Sequence, residues 1–513
     1  METATATLKP LDVFLVAFYL VCVVGLGLWL TRGIRTSRDY FLAGRTLPWW
    51  AVGMSLVVSD IGAKDMVGLA ADGYRFGLVM MNFDFIGCAF PVLVAAFLFM
   101  PFLWIAGVYT VPEYLGRRYN PGVRRFFAVI WALFMMGTVG TILVSAAVMF
   151  EALLGWNFWW SVAITAVVVG VFTTTGGLKA VVMTDAMSCV VLMVGAALIC
   201  IFGLREAGGW EGLRGTVEKL SWTEHHFHMI LPADHPMYPW PAVLLGLGFV
   251  LGPAYWIGNQ AIVQRTLGAG SENQARASYV FCAVLKLVFP LLLVLPGLIG
   301  LALFHERLGN PSQWQEGVAN RVLPLLVVNL LPTGVLGIVV GAFLAGVVTN
   351  LDSYVNSAST LVVTDLYQAV VPGRSDRHYL RAGQLLVVVF LVAGVALARL
   401  IQMFGSVFEA FQTFMSFFQG PLLALMLLGM LTRWATSAGG LAGMLAGVGT
   451  AAGLHAPRVL FGSNHAISFL WVAWWSFVAA LGAAAVVSLF TRRYDDSRLR
   501  GLVCWIPNEE PRA

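Results

Sequence analysis

Runs of roughly 20 predominantly apolar residues, each long enough to cross a bilayer as a helix, recur along this chain from near its first residue to near its last. About thirteen can be placed, over approximately 11–31, 48–71, 77–105, 124–154, 157–175, 180–204, 241–263, 279–304, 334–366, 382–402, 405–431, 436–455 and 467–491. Such a chain has few folding options. Hydrocarbon satisfies no backbone N–H or C=O, whereas a helix satisfies its own. The expected class is therefore an all-α polytopic membrane protein. Composition agrees, since 59% of the 513 residues are hydrophobic and 11% are charged. The longest hydrophilic pieces are shorter than an independent domain requires.

An odd number of spans places the termini on opposite sides. Lys and Arg in the loops after odd-numbered spans, beginning with Arg32, Arg35, Arg38 and Arg45, outnumber those of the other side by about two to one. Retention of positive charge in the cytoplasm puts the N-terminus outside and the tail RRYDDSRLRGLVCWIPNEEPRA inside. The net charge of +5 is then accounted for by topology, and no nucleic-acid partner is implied. The first run lacks a basic leader and is followed by arginines, so it reads as an anchor, not a cleaved signal. The six cysteines are scattered without CxxC spacing and read as apolar fillers. The histidines of WTEHHFHMILPADHP lack regular ligand spacing and read as a solvated loop. No nucleophile, metal or phosphate-loop constellation suggests an enzyme.

Ionisable groups in hydrocarbon are costly, so those that persist mark pathways or pairs. Asp60, Lys64 and Asp65 fall together in SLVVSDIGAKDMVGLAADGY, residues 55–74. Asp84, Asp185, Lys286 and Asp352 lie deep in other spans, and Lys64 and Lys286 are the cations placed inside spans and away from their ends; Glu151 and Glu409 lie near span ends, where water is close. Asp60 and Lys64 have the i, i+4 spacing of an internal pair, which leaves Asp65 unmatched. Gly62 and the local hydrogen-bonding capacity of Ser59 and Asp60 favour instead a discontinuous helix whose freed carbonyls line a cavity. A matching break is expected in PAVLLGLGFVLGPAYWIGNQAI, near Gly252 and Pro253. Spans 2 to 6 and 7 to 11 then form two five-helix runs of opposite topology, the plan of an inverted-repeat transporter.

The stretches DYFLAGRTLPWWAVGMSLVVSDIGAKDMVGLAADGY, YTVPEYLGRRYNP, TTTGGLKAVVMTD, NQAIVQRTLGA and NLDSYVNSASTLVVTDLY resemble the sodium:solute symporter family, in its sodium/glucose-cotransporter branch, from about residue 40 to 435. The resemblance implies a LeuT-like five-plus-five inverted repeat with discontinuous helices. On that plan residues 1–47 are an extra helix and cytoplasmic loop, 48–204 the first repeat, 205–240 an extracellular loop, 241–431 the second repeat, and 432–513 two further helices and the tail. It also implies Na+ as coupling ion, held by the carbonyls of Val58 and Ile61 and by Gly346, Thr349 and Asn350. Asn350 replaces a hydroxyl of the family pattern. Asp185 matches an acid that in some members joins a second sodium site. Asp352 stands where relatives are uncharged, and it either serves coupling or pairs with Lys286.

The family's solute positions fall on Asp65, Asp84, Tyr255, Lys286 and, with one residue inserted, Gln412. Asp60 replaces an amide, and Lys64 is unusual beside it; both join the candidate solute set. The expectation is a sodium-coupled symporter in the plasma membrane, the inner membrane in a bacterium, acting as a monomer or weak oligomer. It imports a small polar solute, a sugar or polyol. The alternatives are a proton-coupled or sodium-independent transporter of an amine-bearing solute or organic acid, or a transporter-like sensor.

Overall fold

A computed structural model describes residues 8–31, 43–108, 110–175, 178–311, 318–404, 406–461 and 467–504 of the chain. Arg32, Arg35 and Arg38, Gly176 and Gly177, and the end of the tail lie outside the described residues. Within them every named element is helical, and the single isolated bridge joins Leu47 to Ala269.

The first apolar run forms α1 (Pro10–Thr31). The second is cut, as its charges and glycine suggest, into α2 (Trp49–Asp60) and α3 (Ala63–Phe76). Ile61 (φ −95°, ψ 121°) and Gly62 (φ −151°, ψ −156°) are extended between them. Asp65 restarts the helix, because its Oδ2 accepts from the Gly62 N–H at 2.9 Å, a carboxylate at the positive end of a helix. The apolar run then extends from Ala63 to Trp104, turning at Gly77 (φ 74°).

Long helices follow: α4 (Pro121–Leu154), α5 (Phe158–Thr175) and α6 (Leu178–Glu206). The seventh expected span does break, but not at Gly252 and Pro253. Wide π turns over Val243–Leu251 lead into α7 (Gly252–Gly258), and these looser turns accept a proline that has no N–H to donate. The interruption falls at Asn259 (φ −68°, ψ 114°). Its side chain accepts from the Ala261 N–H at 3.0 Å and starts α8 (Gln260–Leu267).

After it come α9 (Glu272–Lys286), α10 (Phe289–Leu308), α11 (Val335–Leu361) and α12 (Asp376–Ile401). The expected span 405–431 is a pair, α13 (Val407–Ser416) and α14 (Gln419–Leu431), bent by 42°. The helices α15 (Ser437–Phe461) and α16 (Phe469–Leu489) pack on each other. Ten helices among the described residues are long and apolar enough to span a membrane, or eleven with α13 and α14 taken as one span. The thirteen expected are not all recovered as separate spans: the distal half of the broken second span runs on into the third, and of the fifth only Phe158–Val167 counts, as a shorter apolar helix.

Packing places the two breaks at the centre. α2 lies against α6 and α9, α3 against α10 and α13, and α11 against α1, α4, α6 and α12. The α3–α10 crossing requires Gly297, where an added Cβ would lie 2.4 Å from the Ala70 carbonyl oxygen. Small residues let backbones approach where lipid offers no hydrophobic drive. Asp12 ties α1 to α11: its buried Oδ1 accepts from the N–H groups of Gly334 (2.7 Å) and Gly337 (2.9 Å) at the α11 start. Outward-facing Phe14, Phe18, Trp29, Phe97, Val167 and Val392 leave an apolar exterior suited to lipid.

Candidate functional site

A cavity opens beside the first break. Its wall includes Asp60, Ile61 and Asp65 from the break, Asp84 and Cys88 from the run that follows, Tyr255 of α7, Lys286 at the end of α9, and Phe408, Phe411 and Gln412 of α13. The structure thus gathers six of the seven candidate solute residues around one space. The seventh, Lys64, lies beside it, with its ammonium 4.2 Å from the centre of the Phe411 ring.

The charges pair differently from the i, i+4 expectation. Lys64 Nζ donates to the Asp65 carboxylate at 2.6 Å and to the freed Asp60 backbone carbonyl at 2.9 Å. The Asp60 side chain instead meets Lys286, which also donates to Asp84 at 2.5 Å. One buried ammonium is therefore shared by two carboxylates from different helical segments. Desolvation of ions is repaid only by close partners and further hydrogen bonds, and the helix break supplies one such partner in the Asp60 carbonyl. The ion pairs of Lys286 are with Asp60 and Asp84, so the bland expectation that Asp352 pairs with it is replaced. Asp352 is buried on α11. Tyr255 donates to or accepts from Tyr354 at 3.1 Å, holding its ring at the cavity wall. Trp256, next in the chain, is fully buried.

The candidate sodium positions converge on the opposite side of the break. α11 approaches so closely that a Cβ on Gly346 would lie 3.0 Å from the Ala63 nitrogen, and one on Gly62 would lie 2.2 Å from Asn350 Oδ1. Asn350 Nδ2 donates to the Val58 carbonyl at 2.5 Å. Its Oδ1 is buried with no hydrogen-bond partner among the described residues. Thr349, one residue earlier, turns its hydroxyl to the Ala345 carbonyl at 2.8 Å. An orphaned amide oxygen beside unwound carbonyls is the oxygen-donor chemistry a hard cation takes, so these residues fit Na+.

Asp185 has a cationic partner that the sequence reading missed. Arg265 of α8 is buried, and its Nη2 lies 3.4 Å from Asp185 Oδ2. Arg265 Nε also donates to Ser55 Oγ at 2.8 Å, and Ser55 Oγ donates to Asp185 at 2.5 Å. Arg265 Nη2 further donates to Ser353 of α11. Lys64 and Lys286 are thus not the only cations within the spans. Asp185 Oδ1 keeps no hydrogen-bond partner among the described residues.

Glu409 is also not the solvated end residue expected. It is buried at the start of α13, 3.4 Å from Arg75, which lies 3.0 Å from Asp72. Ser406 donates to the same Asp72 at 2.9 Å. The histidine loop is partly docked: His226 is buried and its Nε2 donates to the Tyr74 carbonyl at 3.0 Å. All six cysteines are free thiols.

Two interrupted helices around a buried polar cavity, within a bundle of spanning helices, define the class as a secondary transporter. The sodium:solute symporter family model matches residues 40–447. A sodium/glucose cotransporter of Vibrio parahaemolyticus is 32% identical over 86% of this chain and 84% of that protein. Sodium/glucose cotransporter 2 of Rattus norvegicus is 31% identical over 90% of this chain and 73% of that protein. Among solved structures, the substrate-bound outward-open state of a Na+-coupled sialic acid symporter superposes with a TM-score of 0.81, at 19% identity over 95% of this chain and 99% of that one. Mhp1, a nucleobase-cation-symport-1 family transporter in a closed conformation, gives 0.57 at 11% identity over 90% and 98%.

The chain belongs to the sodium:solute symporter family. It is a multi-pass plasma-membrane symporter for a small-molecule solute, with Na+ as coupling ion, and not an enzyme. Its fold is the LeuT-like one with discontinuous helices.

Proposed function

We propose that this symporter uses the inward Na+ gradient to import a sugar or polyol held in the cavity at Asp60, Asp65, Asp84, Tyr255, Lys286 and Gln412, with Lys64 setting the Asp65 carboxylate. The observation that carries the reading is the cavity itself: carboxylates, an ammonium and an amide converge beside an aromatic wall at a helix break. Carboxylates accept from adjacent hydroxyls, and an ammonium donates to them. The names of the Vibrio and rat relatives, both sodium/glucose cotransporters, support the sugar class.

On this reading Na+ is held by the Val58 and Ile61 carbonyls with Gly346, Thr349 and Asn350. Asp185, with its spare oxygen, and Asp352 are the further coupling positions. The repeats run 48–204 and 241–431, with the N-terminus outside and the tail in the cytoplasm. A filled ion site favours the outward-open arrangement of the first break, and solute then brings α13 onto the cavity before inward release. The test is uptake of labelled sugars and polyols into proteoliposomes at fixed pH, with Na+ or K+ outside. Accumulation only with Na+ is expected; equal uptake with either cation refutes sodium coupling, and saturable binding without accumulation points to a sensor.

A further inference from the structure

We infer that the solute carries a protonated primary amine beside its hydroxyls, as an amino sugar or amino polyol does, and that Asp60 selects for that charge. This rests on the sugar or polyol reading above. The charges at the cavity do not cancel. Asp60, Asp65 and Asp84 face Lys64 and Lys286, and among the described residues no third cation lines the space. Lys64 is committed to Asp65, and Lys286 is divided between Asp60 and Asp84. One negative charge is left over among side chains that are 15% exposed or less.

The unused atoms point the same way. Asp60 engages Lys286 and Cys88 through Oδ2, and Asp65 engages Lys64 and Gly62 through Oδ2. Among the described residues the Oδ1 atoms of both make no hydrogen bond. Gln412, whose residue is 8% exposed and which lines the same cavity, has no hydrogen-bond partner among them either. The Asp60 side chain is 15% exposed, against 7% for Asp84, so it is the member of the pair more open to a ligand. An ammonium offers three donors and no acceptor, and it removes the excess charge; a hydroxyl fills one acceptor and leaves the charge in place. Four of the five candidate Na+ ligands, Val58, Gly346, Thr349 and Asn350, lie outside the cavity lining and Ile61 alone is shared, so the ion's charge falls beside the cavity and not in it.

The experiment compares glucosamine, glucose and N-acetylglucosamine as Na+-dependent ligands of the purified full chain by thermal shift, at a pH where the amine is protonated. Glucosamine is expected to bind at least about 10-fold more tightly than either neutral sugar, the acetyl group abolishing the advantage. In Asp60→Asn the ratio of glucosamine to glucose affinity should collapse to within about 3-fold, whatever the absolute affinity for glucose. Should that variant not fold, the glucosamine preference of the unmodified protein is measured again at a pH where the amine is neutral; it should disappear, and a preference that survives there counts against the inference in the same way. Equal or tighter binding of glucose by the unmodified protein, or a preference that survives loss of the carboxylate, overturns the inference and leaves the sugar reading standing. Absence of any Na+-dependent shift with all three sugars overturns both.

Discussion

Replacing Gly62 by alanine isolates the contact between the first helix break and α11. The backbone there is extended (φ −151°, ψ −156°), a conformation alanine adopts without strain. The whole effect therefore falls on Asn350, whose Oδ1, Cγ and Nδ2 would lie 2.2, 2.3 and 2.6 Å from the new Cβ. Ordinary contact needs more than 3.4 Å, so the amide must leave. Its departure strips the buried Val58 carbonyl of its donor and removes Oδ1 from the ion site. Losing one oxygen donor to a cation, comparable to losing a hydrogen bond to a charged group at about 1.5–3 kcal/mol, corresponds to a rise of roughly 10- to 150-fold in the Na+ concentration for half-maximal uptake. Asn350→Ser in the same background shortens the clashing side chain but keeps an oxygen, and it should restore half-saturation to within a few-fold of the parent. The assay is Na+-dependence of solute uptake in proteoliposomes, with monodispersity on size exclusion confirming the fold. Half-saturation unchanged in Gly62→Ala, or no recovery in the double variant, refutes the placement of Na+ at this junction.

Lys286→Met leaves the buried Asp84 and the partly exposed Asp60 without their shared ammonium, and removing one partner of a buried ion pair costs about 3–5 kcal/mol; the thermal melt should fall, and a second change, Asp84→Asn, should recover part of the loss. The docked histidine loop is predicted to loosen in acid. Burial holds the His226 pKa below its ordinary value, so its contribution to docking is present above the unfolded value of about 6.5 and is lost as pH falls below it. Hydrogen exchange over residues 218–239, corrected for intrinsic rate, should rise between pH 7 and pH 5, and His226→Gln should reduce that dependence, the remainder belonging to His235, whose pKa burial also lowers.

Much of the site could be read from residue types alone. Gly62 flanked by Asp60 and Asp65 in an apolar run announced the break, because a lone helix in lipid would not tolerate three charges, and the break fell there. The partners could not be read, because they are set by which helices cross. Lys286 reaches Asp60 from more than two hundred residues away in the chain, whereas the neighbouring Lys64 turns to Asp65. Arg265 escaped because hydropathy ends a span where polar residues begin, yet α8 is polar and fully buried among other helices. Asp72 and Arg75 were passed over in the same way, between two expected spans, and Glu409, placed near a span end where water is close, is buried beside them. Pro253 misplaced the second break, since a wide turn absorbed it and Asn259 did the interrupting.

The guanidinium of Arg265 has a mechanical meaning. It fastens α8 and Ser353 of α11, from the second half of the chain, to Ser55 of α2 and Asp185 of α6, from the first. A fastening shared by both halves acts as a fulcrum: when one half rocks against the other, atoms near it scarcely travel, and displacement grows with distance along each lever arm. The cluster of Arg75 with Glu409 then lies where a small rotation is amplified, and the proposed ion site around Thr349 and Asn350, one helical turn from Ser353, lies where the bearing is stiffest.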